Sequence, residues 1–172
     1  MNEVLKCLEE RRSCRSYKPD MIPEDVLNQI LEAGTYAATG MGKQSPIMIA
    51  VIDQKVRDQL SAMNAKIMGV NIDPFYGAPV VIVVLADRAV PTYLYDGSLV
   101  MGNLMNAAHA LGIASCWIHR AREEFESEEG KEILKSLDIE GDFEGIGHCI
   151  LGYPASEAKA PVPRKENYIY RI

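Results

Sequence analysis

The strongest constraint on the fold is the apolar run PVVIVVLA at positions 79–86. A strand that is apolar on both faces is typically buried on both sides, away from water. The run therefore predicts the central strand of a sheet that other elements of the chain cover on both sides.

Apolar spacing predicts the remaining elements, because helices and half-buried strands repeat with different periods. Proline followed by two acids at positions 23–25 marks a helix start. Two helices precede the first strand, and no glycine-rich turn follows that strand, which weighs against a Rossmann or flavodoxin topology. The pattern indicates an α/β or α+β fold, with helices at 3–12, 23–38, 54–67, 92–111 and 126–137, strands at 47–52, 79–86, 113–118 and 146–153, and an extended tail from 154.

The segment 97–119 contains no Asp, Glu, Lys or Arg. Its length is that of a membrane span, but polar side chains interrupt it and Gly112 divides it. A helix without charge on any face is typical of a protein core or a subunit interface. We therefore expect an uncharged helix at 92–111 that is buried by the core or by a second subunit, and no membrane association.

Composition limits the classes of ligand. The chain has 172 residues, of which 48% are hydrophobic and 24% charged, as expected for a single domain spanning 1–172. Its formal net charge of −6 argues against a general role on nucleic acid or on a membrane surface. An anionic ligand must therefore be held by a local cluster of basic side chains.

The four cysteines, Cys7, Cys14, Cys116 and Cys149, include no CxxC pair. Their spacing favours small hydrophobic side chains in a reducing compartment over a disulfide framework or a zinc site. Charges also interrupt the amino-terminal segment where a signal peptide needs an apolar stretch. We therefore expect a cytoplasmic protein without a bound metal.

Two basic motifs lie near opposite ends of the chain. Arg11, Arg12 and Arg15 surround a serine at the end of the first predicted helix. Guanidinium groups match the geometry of phosphate oxygens, but cations also suit the carboxyl end of a helix. Arg164 and Lys165 in the tail either close a phosphate pocket with the first motif or form a surface pair, and sequence distance leaves both open.

Two further segments have a functional and a structural interpretation. The glycines of the turn at 38–44 allow backbone to approach a flat or anionic ligand closely, but they equally suit a helix stop and a loop. The segment 112–119 contains the only tryptophan, Trp117, at the end of a predicted buried strand. This side chain either forms a wall of a cofactor site or fills the core.

Taken together and in order, these pieces resemble the nitroreductase family along nearly the whole chain. The pieces are RRSxR near the amino terminus, the glycine-rich turn near residue 40, Ala78-Pro79 before a strand, the helix that runs into GIASCWI, and GYP followed by PRK. The resemblance implies an α+β fold with a central, mostly antiparallel sheet flanked by helices. It also implies an interlocked homodimer with two FMN sites at the subunit interface.

The same resemblance assigns roles to four segments. The segment that would bind the FMN phosphate, ribityl chain and ring edge contains Arg11, Arg12, Ser13 and Arg15, and the turn that would reach the flavin from the other subunit contains Ala38, Thr39, Gly40 and Gly42. The strand end that would lie beside the flavin ring contains Trp117, Ile118 and His119. The tail segment that would bind the phosphate from the other side contains Arg164 and Lys165.

The implied activity is that of an FMN-dependent oxidoreductase. Hydride from NADH or NADPH passes through the flavin to a nitroaromatic, a quinone or a similar small-molecule acceptor. The cofactor carries the chemistry, and the protein binds, orients and tunes it. No Ser-His-Asp or Cys-His spacing requires a catalytic acid, base or nucleophile, so none is assigned.

Two departures from the family pattern affect the expected substrate side. Gly42 stands where family members often have Asn, and Gln44-Ser45-Pro46 stands where they often have Gln-Pro-Trp. Reduction of an enone and reductive dehalogenation are alternatives on the same fold. A flavin store or electron carrier without turnover, and a dimeric scaffold without a ligand, are alternatives from other classes.

Overall fold

The computed structural model describes all 172 residues of the chain. Four strands form one sheet in the order β1-β2-β4-β3, and each neighbouring pair is antiparallel. The elements in chain order are α1 (Glu3–Glu10), α2 (Glu24–Thr35), a single 3-10 turn (Gly40–Gly42), β1 (Pro46–Val51), α3 (Gln54–Met68), β2 (Val80–Asp87), α4 (Tyr93–Ala110), β3 (Ala114–Ile118), α5 (Ala121–Glu126), α6 (Glu128–Ser136) and β4 (Phe143–Gly152).

Strand β2 divides the hydrophobic core into two halves, because its side chains alternate between the faces of the sheet. Its even-numbered residues pack against Ile30 of α2 and Leu104 of α4. Its odd-numbered residues pack against Leu60 of α3 and Phe125 of α5. The central position predicted for residues 79–86 is therefore confirmed, as is the α+β fold with an antiparallel sheet flanked by helices.

Most elements lie within three residues of their predicted bounds, but residues 126–137 do not form one helix. Ser127 has extended backbone and ends α5, and its hydroxyl then caps α6 by accepting a hydrogen bond from the Gly130 amide at 3.1 Å. A Cβ at Gly130 would lie 2.1 Å from the carbonyl oxygen of Glu124. The close approach of the two short helices therefore requires glycine at this position.

Helix α4 packs across one face of the sheet. The prediction that it carries no charge was wrong, because Asp96 lies buried in its first turn. Its other side leaves large apolar groups uncovered: Leu94 is 46% exposed, Tyr95 74% and Leu99 50%. None of the helices is both long enough and apolar enough to span a bilayer.

Candidate functional site

A cavity of about 830 Å³ lies where the end of α1, the start of β3 and the carboxyl-terminal tail meet. This volume falls within the range of about 300–1,000 Å³ found for small-molecule and cofactor sites. The structure thus brings together the two basic motifs from opposite ends of the sequence. The predicted site residues that line the cavity are Arg11, Arg12, Ser13, Arg15 and Arg164.

The four arginines of this set, hereafter the arginine cluster, form no ion pair. Arginines elsewhere do so: Arg57 lies 2.5 Å from Asp73, and Arg88 lies 2.6 Å from Glu126. Glu10 and Glu157 also line the cavity, yet neither lies within ion-pair distance of the cluster. Unpaired guanidinium groups in a chain of net charge −6 indicate a site for an anion.

Hydrogen bonds within the cluster leave donors unused. Arg12 donates from Nη1 to the carbonyl oxygens of Glu9 and Arg11, each at 2.6 Å, so it stabilises the end of α1. Arg164 donates to the carbonyl oxygen of Val162. Nη1 of Arg11 and Nε of Arg12 are nevertheless buried without any partner. Because buried donors are normally satisfied, these two atoms point to a missing acceptor.

Backbone contacts fix the segment that carries the cluster. Ser13 forms a parallel bridge with Ser115, and the Cys14 amide donates to the Ser115 carbonyl at 2.9 Å. Tyr17 bridges to Pro154 after β4, and its hydroxyl donates to the Cys14 carbonyl at 2.9 Å. Burial raises the pKa of Tyr17, so this phenol remains a hydrogen-bond donor. The cavity wall is therefore tied to both β3 and the end of β4.

The turn that contains Ala38, Thr39, Gly40 and Gly42 lies outside the cavity. Its backbone is unusual, with φ of 53° at Met41 and 65° at Gly42. A buried carboxylate holds it: Asp96 accepts from the Gly40 amide at 2.9 Å and from the hydroxyls of Ser45 and Thr92. Burial alone would raise the pKa of Asp96, but these three hydrogen bonds hold it below its ordinary value.

The turn and the cavity belong to opposite ends of α4. Asp96 lies in the first turn of the helix, whereas His109 in its last turn lines the cavity. Thirteen residues at about 1.5 Å each separate these positions by about 20 Å. Within one chain, the glycine turn therefore does not contribute to the site formed by the arginine cluster.

The remaining predicted residues also lie outside the cavity. Trp117 packs tightly on β4, where a Cβ at Gly147 would lie 2.2 Å from its indole nitrogen. Ile118 is buried in the core, and His119 is exposed and accepts a hydrogen bond from Asn64 through its carbonyl oxygen. The ammonium group of Lys165 lies 5.2 Å from the centre of the Tyr168 ring.

Beside this strand end lies a second polar cluster, hereafter the Glu124 network, formed by Asn64, Arg120, Glu124 and His148. Nε2 of His148 lies 2.9 Å from the Glu124 carboxylate, and both side chains are fully buried. Asn64 donates to Glu124 and accepts from Arg120 Nε at 2.9 Å. The members pair with one another, with Nδ1 of His148 the one buried side-chain atom left without a partner, and none of them lines the cavity of the arginine cluster.

The model of the Nitroreductase family matches residues 8–153. The chain belongs to the nitroreductase family. The match includes the first basic motif, the glycine turn and the strand end, and it stops before Arg164 and Lys165 in the tail.

Individual relatives match over most of their length. A protein of Archaeoglobus fulgidus with the provisional name NADH dehydrogenase/NAD(P)H nitroreductase is 31% identical over 91% of this chain and 88% of its own. The FMN reductase [NAD(P)H] of Bacillus subtilis is 25% identical over 94% of this chain and 70% of its own.

Solved nitroreductases have the same fold. The crystal structure of a Bacteroides fragilis nitroreductase with bound FMN is 29% identical, with a TM-score of 0.89 over the full length of both chains. A Desulfitobacterium hafniense nitroreductase with bound FMN is 28% identical, with a TM-score of 0.88 over 99% of each chain.

The sequence alone did not assign several residues that line the cavity. The most informative is Ser115, which is 1% exposed and whose hydroxyl has no partner. A serine within the apolar strand segment ASCWI was the available signal, but the sequence did not show which face it occupies. Other unassigned lining residues include Cys14, His109, Gly112, Ile113, Ala114 and Lys159.

Proposed function

We propose that this nitroreductase-family chain is a single FMN-binding domain, and that it transfers hydride from NADH or NADPH to a nitroaromatic, a quinone or a similar acceptor. FMN supplies the two-electron chemistry when it is bound. The observation that carries this proposal is the arginine cluster, with its buried and unpartnered nitrogens in a cavity of cofactor size. The names of the relatives and the FMN in the solved structures support the same activity.

The arginine cluster and Ser13 fit the phosphate end of FMN. A phosphate monoester carries nearly two negative charges and accepts several hydrogen bonds, which matches forked guanidinium donors. In this proposal Arg11, Arg12 and Arg164 hold the phosphate, with Lys165 beside them, and Ser13 donates to the ribityl chain. Arg15, which is exposed at the cavity, faces the ring edge.

The working unit in this proposal is a homodimer. The exposed side chains of Leu94, Tyr95 and Leu99 on α4 form an apolar surface of the kind that subunit interfaces bury. Helix α1 has no buried residue, and its Val4, Leu5 and Leu8 are exposed as well. A second subunit that covers these surfaces can also bring its glycine turn to a cavity that the turn cannot reach within one chain.

The protein's own groups then have positional roles. In this proposal the turn residues Ala38, Thr39, Gly40 and Gly42 approach the flavin of the partner subunit through backbone. The strand end formed by Trp117, Ile118 and His119 borders the ring from outside the cavity of its own chain. No side chain is assigned as a catalytic acid, base or nucleophile. We further infer a cytoplasmic location, because NAD(P)H is supplied there and none of the four cysteines forms a disulfide.

Purification with a flavin spectrum and a turnover assay tests the proposal. We expect a yellow protein that releases FMN on denaturation and that oxidises NADH or NADPH faster when a quinone or nitroaromatic is added. A protein that binds FMN but shows no acceptor-dependent oxidation would be a flavin carrier. A protein that binds no FMN would contradict the proposal. Sedimentation of a flavin-loaded monomer at micromolar concentration would contradict the dimer.

A further inference from the structure

Ser115 is a buried polar residue that the fold leaves unsatisfied. It is 1% exposed, and its hydroxyl is buried without a hydrogen-bond partner. Comparable serines are paired: Ser45 donates to Asp96 at 2.8 Å, and Ser61 donates to Asp73 at 2.6 Å. An unpaired buried hydroxyl destabilises the folded chain, so its presence requires an explanation other than stability.

The position of Ser115 supplies that explanation. Ser115 is one of the residues that line the same cavity as the arginine cluster. Three lining residues of this cavity have a buried polar atom without a partner: Arg11 at Nη1, Arg12 at Nε and Ser115 at Oγ. The first two atoms are cationic donors and the third is a neutral donor, so each of them suits an anionic acceptor.

The backbone at Ser115 is fixed before any ligand binds. The residue pairs with Leu151 in β4 on one side, and on the other it bridges Ser13 and accepts from the Cys14 amide through its carbonyl. Its hydroxyl can therefore move only by rotation about the Cα–Cβ bond. A donor held on a strand in this way is pre-organised, which lowers the entropy cost of binding.

We propose that the Ser115 hydroxyl donates a hydrogen bond to the phosphate group of FMN, as an additional ligand beside Arg11 and Arg12. This inference rests on the proposed function, and it adds a residue to the phosphate site. It also implies that the Ser115 hydroxyl strengthens FMN binding and lowers the stability of the flavin-free protein. FMN affinity and stability without flavin can be measured separately.

The test compares Ser115→Ala with wild type in flavin titrations of the flavin-free protein. FMN should bind about tenfold more weakly to the variant, because one hydrogen bond to a charged group is lost. Riboflavin, which has the same ring and ribityl chain but no phosphate, should bind equally to both. The flavin-free variant should unfold at the same temperature as wild type or at a higher one, because the unpaired hydroxyl is gone.

Ser61→Ala is the matched control, because Ser61 is also buried but its hydroxyl is paired with Asp73. This control should unfold at a lower temperature and keep both flavin affinities. The inference is overturned if Ser115→Ala binds FMN as tightly as wild type does, or if its affinities for FMN and riboflavin fall by the same factor. It is also overturned if the flavin-free variant is less stable than flavin-free wild type. Wild-type protein that binds no FMN would instead overturn the proposed function.

Discussion

The arginine cluster and the Glu124 network are two groups of polar side chains with opposite balances of donors and acceptors. In the Glu124 network the carboxylate faces a histidine and an asparagine, and only Nδ1 of His148 lacks a partner. The arginine cluster has donors without acceptors, and it borders a cavity of about 830 Å³. A buried network whose members pair with one another stabilises the fold, whereas several unpaired donors beside a cavity mark a ligand site.

The largest expected effect comes from the Glu124 network. Glu124→Ala leaves His148 and Asn64 buried without their shared partner, and each buried polar group left unpaired costs about 1–3 kcal/mol, so the loss should be several kcal/mol. Urea unfolding of the variant should show this loss in the free energy of unfolding. Glu128→Ala, which removes an exposed ion pair with Lys131, should leave the free energy of unfolding nearly unchanged, because water screens that pair. Equal losses of unfolding free energy in the two variants would show that the Glu124 network does not stabilise the fold.

Arg11→Ala tests the other side of the comparison. We expect FMN affinity to fall about tenfold or more, because a charge-assisted hydrogen bond to phosphate contributes about 1.5–3 kcal/mol. Activity should recover at saturating FMN, and the stability of the flavin-free protein should not decrease. Arg122→Ala, at an exposed arginine that does not line the cavity, is the control. A variant that retains flavin through dialysis as wild type does would show that Arg11 does not bind the phosphate.

Asp96, in the first turn of α4, is a buried carboxylate that accepts three hydrogen bonds. Its folded pKa is depressed below its ordinary value of 3.8, so its stabilisation is present at neutral pH and is lost as pH falls through the folded pKa. Asp96→Asn should lower the free energy of unfolding at pH 7 by about 1–2 kcal/mol. The difference from wild type should shrink in acid. A constant difference from pH 7 to pH 2 would contradict this role.

The smallest expected effect concerns Arg15, which we propose to lie at the flavin ring edge rather than at the phosphate. A fixed cation at the ring edge favours the reduced cofactor, whereas a phosphate contact stabilises both redox states almost equally. Arg15→Gln should therefore lower the midpoint potential of bound FMN by about 20 mV, which corresponds to about 1 kcal/mol for two electrons. A potential unchanged at saturating FMN would place Arg15 with the phosphate ligands.

The sequence predicts the strands well, because apolar runs such as 79–86 are long and bounded by clear breaks. It does not predict the break at Ser127, because the helical spacing continues across it and the turn depends on contact between Gly130 and Glu124. The basic motifs of the site are visible in the sequence, but their meeting at one cavity depends on the path of the tail. Ser115 was missed because burial and the absence of a partner are properties of the folded chain.

A crystal structure of the protein saturated with FMN would show whether the arginine cluster binds the phosphate. We expect the phosphate to lie within hydrogen-bond distance of Arg11, Arg164 and Ser115. We also expect the turn containing Gly40 to reach the flavin from the second subunit of a dimer, while the Glu124 network keeps its present hydrogen bonds. A phosphate bound elsewhere, with the arginine cluster still unpaired, would show that this cluster is not the phosphate site.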